Sequence, residues 1–401
     1  MSRPSLEVGD IVRGMMDEGG GILGLRTTQA QRYVLEDIAM CRTVELGGHV
    51  ERCDHCGHVR IAYNSCGNRH CPKCLSSKHA EWLDARKKDL LPVPYFHVVF
   101  TLHPEVVKLA LQNKKTIYEL LFRASSDTLK QIAADPKHLG AEIGFVTVLH
   151  TWGQTLMHHP HLHCVVPGGG LSANRSSWVP CRENYFLPIH VLSAVYRGKF
   201  LEYLRAAYEA GELRFSGEMA HLSDSRRFRD WCFGLRKKGW IVYSKAPFGG
   251  PEQVLKYLAR YTHRVAIANS RLISFENGKV GFRYKDYANG STQRVMTLTG
   301  QEFLRRFLLH VLPRGFQRIR HYGFLANRCH QEKVALSRRL IDEAGISTPE
   351  TLVQSSIESA RSASVQKCSE CGIGKMIKQV PFAPYPARRV LSASICRSDS
   401  S

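Results

Sequence analysis

Alternating apolar and polar positions predict strands in the middle of the chain. Residues 95–101 and 143–152 are rich in β-branched and aromatic side chains, which are common in strands. Residues 158–170 contain two interleaved sets of side chains, with Leu162, Cys164 and Val166 in one set and His161, His163 and Val165 in the other. Successive side chains of a strand point to opposite faces, so the first set can face a core. His161 and His163 would then lie side by side on the opposite face.

Helical spacing of apolar residues predicts helices around these strands. The predicted helices cover residues 28–42, 76–91, 105–135 in two stretches, 189–211, 217–239, 251–265 and 302–312. Further strands are predicted at residues 240–244, 271–276, 280–284 and 293–298, with Asn277-Gly278 as a hairpin turn. Consecutive strands joined by short connections pair antiparallel. We therefore predict an α+β fold with an antiparallel central sheet and flanking helices.

Pro92 and Pro94 interrupt the helical pattern and indicate a domain boundary. We predict a first, cysteine-rich domain over residues 28–91 and a main domain over residues 92–312. Residues 313–401 are predicted to be a basic, partly disordered C-terminal region, because several arginines are followed by a serine-rich tail without a core pattern.

The composition indicates a globular protein with an anionic partner. The 401 residues include 43% hydrophobic residues, which is enough for more than one core. No apolar run is long enough to span a membrane and the N-terminus lacks an apolar signal core, so we expect a cytoplasmic protein with no membrane partner. The 56 Lys and Arg residues outnumber the 35 Asp and Glu residues and give a formal net charge of +21. This charge favours a nucleic acid as partner over nonspecific solubility or ribosome association.

The cysteines follow a pattern that is typical of zinc sites. Six of the 13 cysteines lie between Cys41 and Cys74. Within this stretch, Cys53-x-x-Cys56 and Cys71-x-x-Cys74 are separated by fourteen residues. Such a pair of knuckles can supply four thiolates to one tetrahedral Zn²⁺. A disulfide framework is the alternative, but it is typical of small secreted domains.

Other side chains leave the set of zinc ligands open. Four neighbours could replace one ligand or complete a second site: Cys41, His49, Cys66 and His70. Near the end of the chain, Cys368-x-x-Cys371 forms half of another knuckle without an evident partner. Spacing alone makes a second zinc site there one possibility.

A pair of tyrosines marks the helix predicted at residues 251–265. Tyr257 and Tyr261 are four residues apart, so their hydroxyl groups project from one side of the helix. Arg260 and Arg264 lie away from the apolar stripe, where they could bind phosphates. For this helix considered alone, packing tyrosines and solvated arginines are the alternatives.

Three motifs, taken in this order along the chain, resemble those of HUH endonucleases. They are Asn68-Arg-His-Cys-Pro-Lys-Cys74, Thr151-Trp-Gly-Gln-Thr-Leu-Met-His-His-Pro-His-Leu-His-Cys-Val-Val-Pro-Gly-Gly-Gly170 and Lys256-Tyr-Leu-Ala-Arg-Tyr-Thr-His-Arg264. In these motifs the chain is similar to the two-tyrosine rolling-circle transposases of the insertion sequence ninety-one family. The resemblance implies a zinc-binding domain followed by an HUH tyrosine transposase domain that acts on single-stranded DNA at transposon ends.

The resemblance also implies roles for the tyrosines and the histidines. Tyrosine has a pKa near 10 and is a poor nucleophile at neutral pH, so a cation must make the phosphodiester more electrophilic. Tyr257 and Tyr261 would be the nucleophiles, and His161 and His163 would hold that cation. Histidine ligands by themselves suit zinc or manganese, whereas the resemblance implies Mg²⁺ or Mn²⁺.

The third ligand of the catalytic cation and the overall function leave alternatives. We predict Gln154 as the third ligand because it lies seven residues before His161, with His158 and His159 as alternatives.

A replication initiator or relaxase would use the same chemistry, but the N-terminal zinc module argues against it. The other alternative is a zinc-containing DNA-binding protein without nuclease activity.

Overall fold

The structure, a computed structural model, describes residues 6–17, 25–74, 89–245, 266–287, 289–346 and 367–384. The predicted helix that carries Tyr257, Arg260, Tyr261 and Arg264 lies outside the described residues. Most of the helix predicted over residues 76–91 also lies outside them.

Within the described residues, the predicted strands and most of the predicted helices are present, together with further elements that the sequence analysis did not predict. The helices are α1 Val8–Asp17, α2 Gln29–Met40, α3 Pro104–Gln112, α4 Lys114–Ala134, α5 Ile189–Glu209, α6 Ser225–Arg236, α7 Gly300–Leu309 and α8 His330–Glu343. The strands are β1 Gly48–Cys53, β2 Val59–Tyr63, β3 Tyr95–Thr101, β4 Gly144–Trp152, β5 His158–Pro167, β6 Gly169–Leu171, β7 Trp178–Pro180, β8 Val242–Lys245, β9 Leu272–Glu276, β10 Lys279–Asp286, β11 Thr292–Thr299, β12 Ile319–Gly323 and β13 Met376–Phe382.

The chain forms two compact units that are built from separate stretches of sequence. Unit 1 comprises residues 1–78, 267–311 and 349–401, and unit 2 comprises residues 79–266 and 312–348. The sequence predicted three consecutive domains. The structure instead places residues 349–401 in the same unit as the cysteine-rich segment. The physical reason is strand pairing, because β13 pairs antiparallel with β1.

Unit 2 contains a five-stranded sheet in the order β12-β4-β5-β3-β8. Every neighbouring pair in this sheet is antiparallel. A short turn at residues 153–157 joins β4 to β5, as expected for consecutive antiparallel strands. The predicted α+β fold with an antiparallel central sheet and flanking helices is therefore confirmed.

Apolar side chains cover both faces of this sheet. The larger core contains side chains of α3, α4 and α5 and, from β5, Leu162, Cys164 and Val166. On the other face, Val165 belongs to a smaller core together with side chains of β3, β4 and α8. His163 and His161 are the next positions of β5 on this second face. Along this face of β5, the two histidines therefore directly adjoin the smaller core.

Unit 1 contains two three-stranded sheets, β13-β1-β2 and β11-β10-β9, together with α1, α2 and α7. Thr28 begins α2 with a reciprocal capping box to Gln31. The predicted hairpin turn is confirmed, because Asn277 and Gly278 both have positive φ, at 48° and 67°. This backbone is the one that an Asn-Gly turn between antiparallel strands favours.

The helix predicted over residues 217–239 differs from the observed structure. A 3₁₀ segment covers Gly217–Ser223, and α6 begins afterwards. The reason is a new helix start, because the Asp224 side chain accepts a hydrogen bond of 2.9 Å from the backbone N–H of Arg227.

Among the described residues, no helix combines the length and the apolar character needed to cross a membrane.

Candidate metal centres

Three histidines converge on one face of the central sheet of unit 2. His150 of β4 lies opposite His161 of β5, and His163 follows two residues later. Nδ1 of His150 lies 3.2 Å from Nε2 of His163. One ring nitrogen from each of the three histidines lies within 4.8 Å of the others, a spacing from which three imidazoles can converge on one divalent cation. We call these three residues the histidine cluster.

Hydrogen bonds orient two rings of the histidine cluster. Nδ1 of His161 donates to the backbone carbonyl oxygen of His159 at 2.7 Å, which leaves Nε2 of His161 for a ligand. Nδ1 of His163 lies 2.7 Å from Nε2 of His97 on β3, and these two rings are stacked. Contacts of this kind fix the tautomer and the orientation of metal-binding histidines.

Burial keeps His161, His163 and the neighbouring His97 neutral. It lowers the pKa of His161 to about 4 and the pKa of His97 to about 3. Burial, reinforced by the neighbouring imidazoles, also holds the pKa of His163 well below its ordinary value. A neutral imidazole is the form that binds a metal. At neutral pH His161 and His163 can therefore bind a divalent cation without first releasing protons.

The structure brings together the predicted pair His161 and His163 and adds His150, which the sequence analysis missed. The missing signal was the register of the β4-β5 hairpin. Trp152 pairs with His158 and His150 pairs with His161 across a bulge. Counting outward from the turn at residues 153–157 would have placed His150 opposite Pro160, next to His161, and the bulge supplies the remaining shift of one residue.

The predicted third ligand and its two alternatives lie at different places. Gln154 lies in the turn between β4 and β5, and its role as a ligand stays a prediction. His158 belongs to the opposite face of β5, where its Nε2 lies 2.7 Å from the hydroxyl oxygen of Tyr118 on α4. His159 lies beside the histidine cluster, with its ring centroid 5.1 Å from that of His161.

A first cysteine cluster in unit 1 consists of Cys41, Cys66, Cys71 and Cys74. The Sγ atom of Cys74 lies 3.5 Å from Sγ of Cys41 and 3.5 Å from Sγ of Cys66. Sγ of Cys71 lies 3.6 Å from Sγ of Cys41, which directly follows α2. A tetrahedral zinc ion with Zn–S distances of about 2.3 Å holds its sulfurs about 3.8 Å apart. The four thiols therefore fit zinc.

A second cysteine cluster in unit 1 consists of Cys53, Cys56, Cys368 and Cys371. The Sγ atoms of Cys53 and Cys371 are 3.7 Å apart, and those of Cys56 and Cys368 are also 3.7 Å apart. The backbone N–H of Gly374 donates to Sγ of Cys371 at 3.3 Å and lowers the pKa of this thiol to about 6. A low pKa favours the thiolate, the form that binds metals.

The structure corrects the predicted grouping of the zinc ligands. Cys53 and Cys56 were predicted to share one zinc ion with Cys71 and Cys74, but the two knuckles belong to different clusters. Each knuckle pairs with other thiols because β13 brings the C-terminal knuckle to the end of β1.

Of the four side chains left open as further ligands, Cys41 and Cys66 join the first cysteine cluster. The two histidines do not join a cysteine cluster in the described structure. Nε2 of His49 lies 3.0 Å from Oε1 of Glu51, and Nδ1 of His70 lies 3.1 Å from Oδ1 of Asn68.

The two knuckles of the second cysteine cluster share one sequence feature. The second cysteine of the knuckle at 53–56 is followed by Gly57, and that of the knuckle at 368–371 is followed by Gly372. Both glycines have positive φ, at 74° and 68°, a conformation that glycine adopts without strain. The knuckle at 71–74 is followed by Leu75 instead. The two knuckles of the second cysteine cluster therefore share a local turn feature, but strand pairing brings them together.

Comparisons with known proteins match two regions of the chain to transposase families. Residues 144–333 match a family described as "Putative transposase", and residues 21–102 match one described as "Transposase zinc-binding domain". "Putative transposase y4qJ" of Sinorhizobium fredii is 51% identical over 381 residues, which cover 94% of this chain and 96% of that protein. "Transposase for insertion sequence element IS801" of Pseudomonas savastanoi pv. phaseolicola is 28% identical over 317 residues, covering 78% and 73%. No solved structure matches the chain.

Proposed function

This chain belongs to the insertion sequence ninety-one family of transposases, and on that basis we propose that it nicks single-stranded DNA at transposon ends and transfers the cut strand. The observation that carries the proposal is the histidine cluster, because three imidazoles on one sheet face suit a cation that acts on a phosphodiester. The protein would then be a metal-dependent tyrosine transposase. Its DNA substrate also supports the cytoplasmic location expected from the sequence.

We assign the catalytic cation to His161 and His163, with His150 or Gln154 as the third ligand. The family resemblance implies Mg²⁺ or Mn²⁺, and of these Mn²⁺ accepts imidazole ligands more readily. A bound cation would polarise a non-bridging oxygen of the scissile phosphate. The contact with His97 would hold the ring of His163 in place during this step.

We propose the two tyrosines as successive nucleophiles. The hydroxyl oxygen of Tyr257 attacks the scissile phosphorus and forms a bond to the 5′-phosphate. The bond from phosphorus to the 3′-oxygen breaks, and this oxygen takes up a proton in exchange for the one that the tyrosine releases. The phosphotyrosine link allows a later 3′-hydroxyl to re-form the phosphodiester without ATP. Tyr261 would carry the second transfer, while Arg260 and Arg264 bind neighbouring phosphates.

A groove in unit 2 supports binding of single-stranded DNA. This groove between α5 and α6 has a volume of about 850 Å³, and its lining includes Arg197, Arg205, Arg226, Arg229 and Arg236 as well as Glu202 and Asp230. Phe233 also lines the groove and is 58% exposed. Arginines can bind the phosphates of a single strand, and exposed aromatic rings can stack on its bases.

The experiment that tests the proposal is a search for a covalent protein–DNA adduct. The full chain is incubated with Mn²⁺ and single-stranded DNA from the ends of the surrounding element, and peptide mass spectrometry locates the adduct. We expect the first adduct on Tyr257. A His163→Ala variant should lose the adduct but keep most of its DNA affinity, because binding rests on many basic contacts and cleavage on one cation. His190→Ala, at an exposed histidine on α5, is the matched control.

Each result of this experiment supports or overturns a defined part of the proposal. An adduct on Tyr261 alone would reverse the order of the tyrosines, and an adduct on neither would remove their helix from the active site. Equal adduct formation by His163→Ala would refute the metal assignment. DNA binding without any adduct would favour the alternative of a DNA-binding protein without nuclease activity. Element ends that flank the gene would favour a transposase over a replication initiator or relaxase.

A further inference from the structure

We propose that the second cysteine cluster binds a structural zinc ion of its own and that this ion joins both ends of the chain into one zinc ribbon. Of the four cysteines of this cluster, the matched zinc-binding region at residues 21–102 contains only Cys53 and Cys56. The other two, Cys368 and Cys371, come from a segment that lies beyond both matched family regions.

The two halves of the second cysteine cluster have similar backbone geometry. The backbone N–H of Gly57 donates to the carbonyl oxygen of Cys53 at 3.1 Å, and that of Gly372 donates to the carbonyl oxygen of Cys368 at 3.0 Å. The N–H of Cys53 and the N–H of Cys368 each donate across their own turn at 2.8 Å. The acceptors are the carbonyl oxygens of His58 and Gly374, so the two turns close over five and six residues. Two similar knuckles that face each other can place four thiolates around one ion, as in zinc ribbons.

Hydrogen bonds between the knuckles fix their relative position within unit 1. The carboxylate of Asp54 accepts a hydrogen bond of 2.7 Å from the backbone N–H of Lys375, and the Asp54 N–H donates to the Lys375 carbonyl oxygen at 3.1 Å. Directly beside these contacts, Cys53 of β1 pairs with Met376 of β13. The sulfurs therefore sit at the end of a strand pair that already holds both segments.

The chemistry of the second cysteine cluster favours zinc over disulfide bonds. The closest thiol pairs are 3.7 Å apart, one from each knuckle in both cases, whereas bonded sulfurs are about 2.05 Å apart. Backbone N–H groups also point at two of the sulfurs: Cys56 N–H at Cys53 Sγ and Gly374 N–H at Cys371 Sγ, at 3.5 Å and 3.3 Å. Such donors can hydrogen-bond the sulfurs while these bind a zinc ion.

Zinc stoichiometry of the full chain, purified under reducing conditions, tests the proposal. We expect two zinc ions per chain in the unaltered protein. The Cys368→Ser/Cys371→Ser double variant should contain one, and so should Cys71→Ser, because each change removes ligands from a different cluster. Cys329→Ser replaces a cysteine that belongs to neither cluster and should keep both ions.

A second measurement keeps the test decisive if the double variant folds poorly. Alkylation followed by mass spectrometry of the unaltered protein reports which cysteines the metal protects. We expect Cys368 and Cys371 to be protected together with Cys53 and Cys56, and to become reactive when a chelator removes zinc. One zinc ion per unaltered chain, two ions in the double variant, or a disulfide between the two knuckles would each overturn the proposal.

Discussion

The two cysteine clusters each present four thiols, but they differ in the origin and the burial of these ligands. The first cysteine cluster takes all of its ligands from residues 41–74, and three of its four thiols are buried. The second cysteine cluster takes two ligands from residues 53–56 and two from residues 368–371, and its Cys56 is exposed. One set of four thiols thus comes from a single segment of the chain, and the other comes from two distant segments.

This difference predicts how each cluster depends on the rest of the fold. Cys56 and Cys368 are separated by 312 positions in the sequence. Each doubling of a loop adds only about 0.6 kcal/mol to the entropic cost of closing it, so sequence distance alone does not prevent such a site. The second cluster nevertheless needs β13 to pair with β1. We expect the first cluster to bind zinc more tightly and the second to respond to changes near that strand pair.

The largest effect is expected when a buried ligand of the first cysteine cluster is removed. Structural zinc contributes on the order of 10 kcal/mol of apparent binding free energy in small zinc domains. We therefore expect Cys71→Ser to lose one zinc ion and the cooperative unfolding of unit 1, while unit 2 keeps its own transition. Differential scanning calorimetry of the full chain checks this, with Cys329→Ser as control. Unchanged zinc content and unchanged transitions would show that this cluster holds no structural zinc.

An intermediate effect is expected from the ion pair that anchors the knuckle at 71–74. Lys73 pairs with Glu7, and their side chains are only 12% and 5% exposed. Removing one partner of a buried pair costs roughly 3–5 kcal/mol, so Glu7→Gln should lower the free energy of unfolding of unit 1 by roughly that amount. Chemical denaturation measures this change.

A matched control for Glu7→Gln is available in unit 2. Glu105 pairs with Lys238, and both side chains are more than 40% exposed. Glu105→Gln should therefore change the stability by less than about 1 kcal/mol. Equal effects of the two substitutions would mean that the Glu7 pair is not a buried anchor of the first cysteine cluster.

The smallest effect is expected from Gly374→Ala in the second cysteine cluster. A Cβ atom at this position would lie 2.7 Å from Oδ1 of Asp54 and closer still to Sγ of Cys53. Overpacking of this kind costs roughly 1–3 kcal/mol, and each 1.4 kcal/mol is about a tenfold loss in affinity. We expect a loss of zinc affinity confined to the second cluster, measured by competition with a chromophoric chelator.

The control for Gly374→Ala is Gly234→Ala on α6, where a Cβ atom would meet open space. This control should keep the zinc affinity of the unaltered protein. If Gly374→Ala weakened the first cysteine cluster as strongly as the second, the two clusters would not be independent sites.

Local periodicity was sufficient to predict much of the fold. The bounds of β3 agree with the predicted strand at residues 95–101, and the alternation in β5 correctly separated the core residues from His161 and His163. The Asn-Gly turn between β9 and β10 was equally local. Side-chain alternation and turn geometry depend on neighbouring residues, so the sequence by itself determined them.

Only the tertiary structure decided which of these side chains come together at one candidate metal site. His150 joins His161 because β4 and β5 pair in one register, and Cys368 joins Cys56 because β13 returns to β1. A sequence motif specifies the ligand type and the spacing within one knuckle. The choice between possible partner knuckles depends on strand pairing between distant segments, which sequence spacing does not encode. That is the physical reason why the cysteines were predicted individually but grouped incorrectly, and why His150 was not predicted.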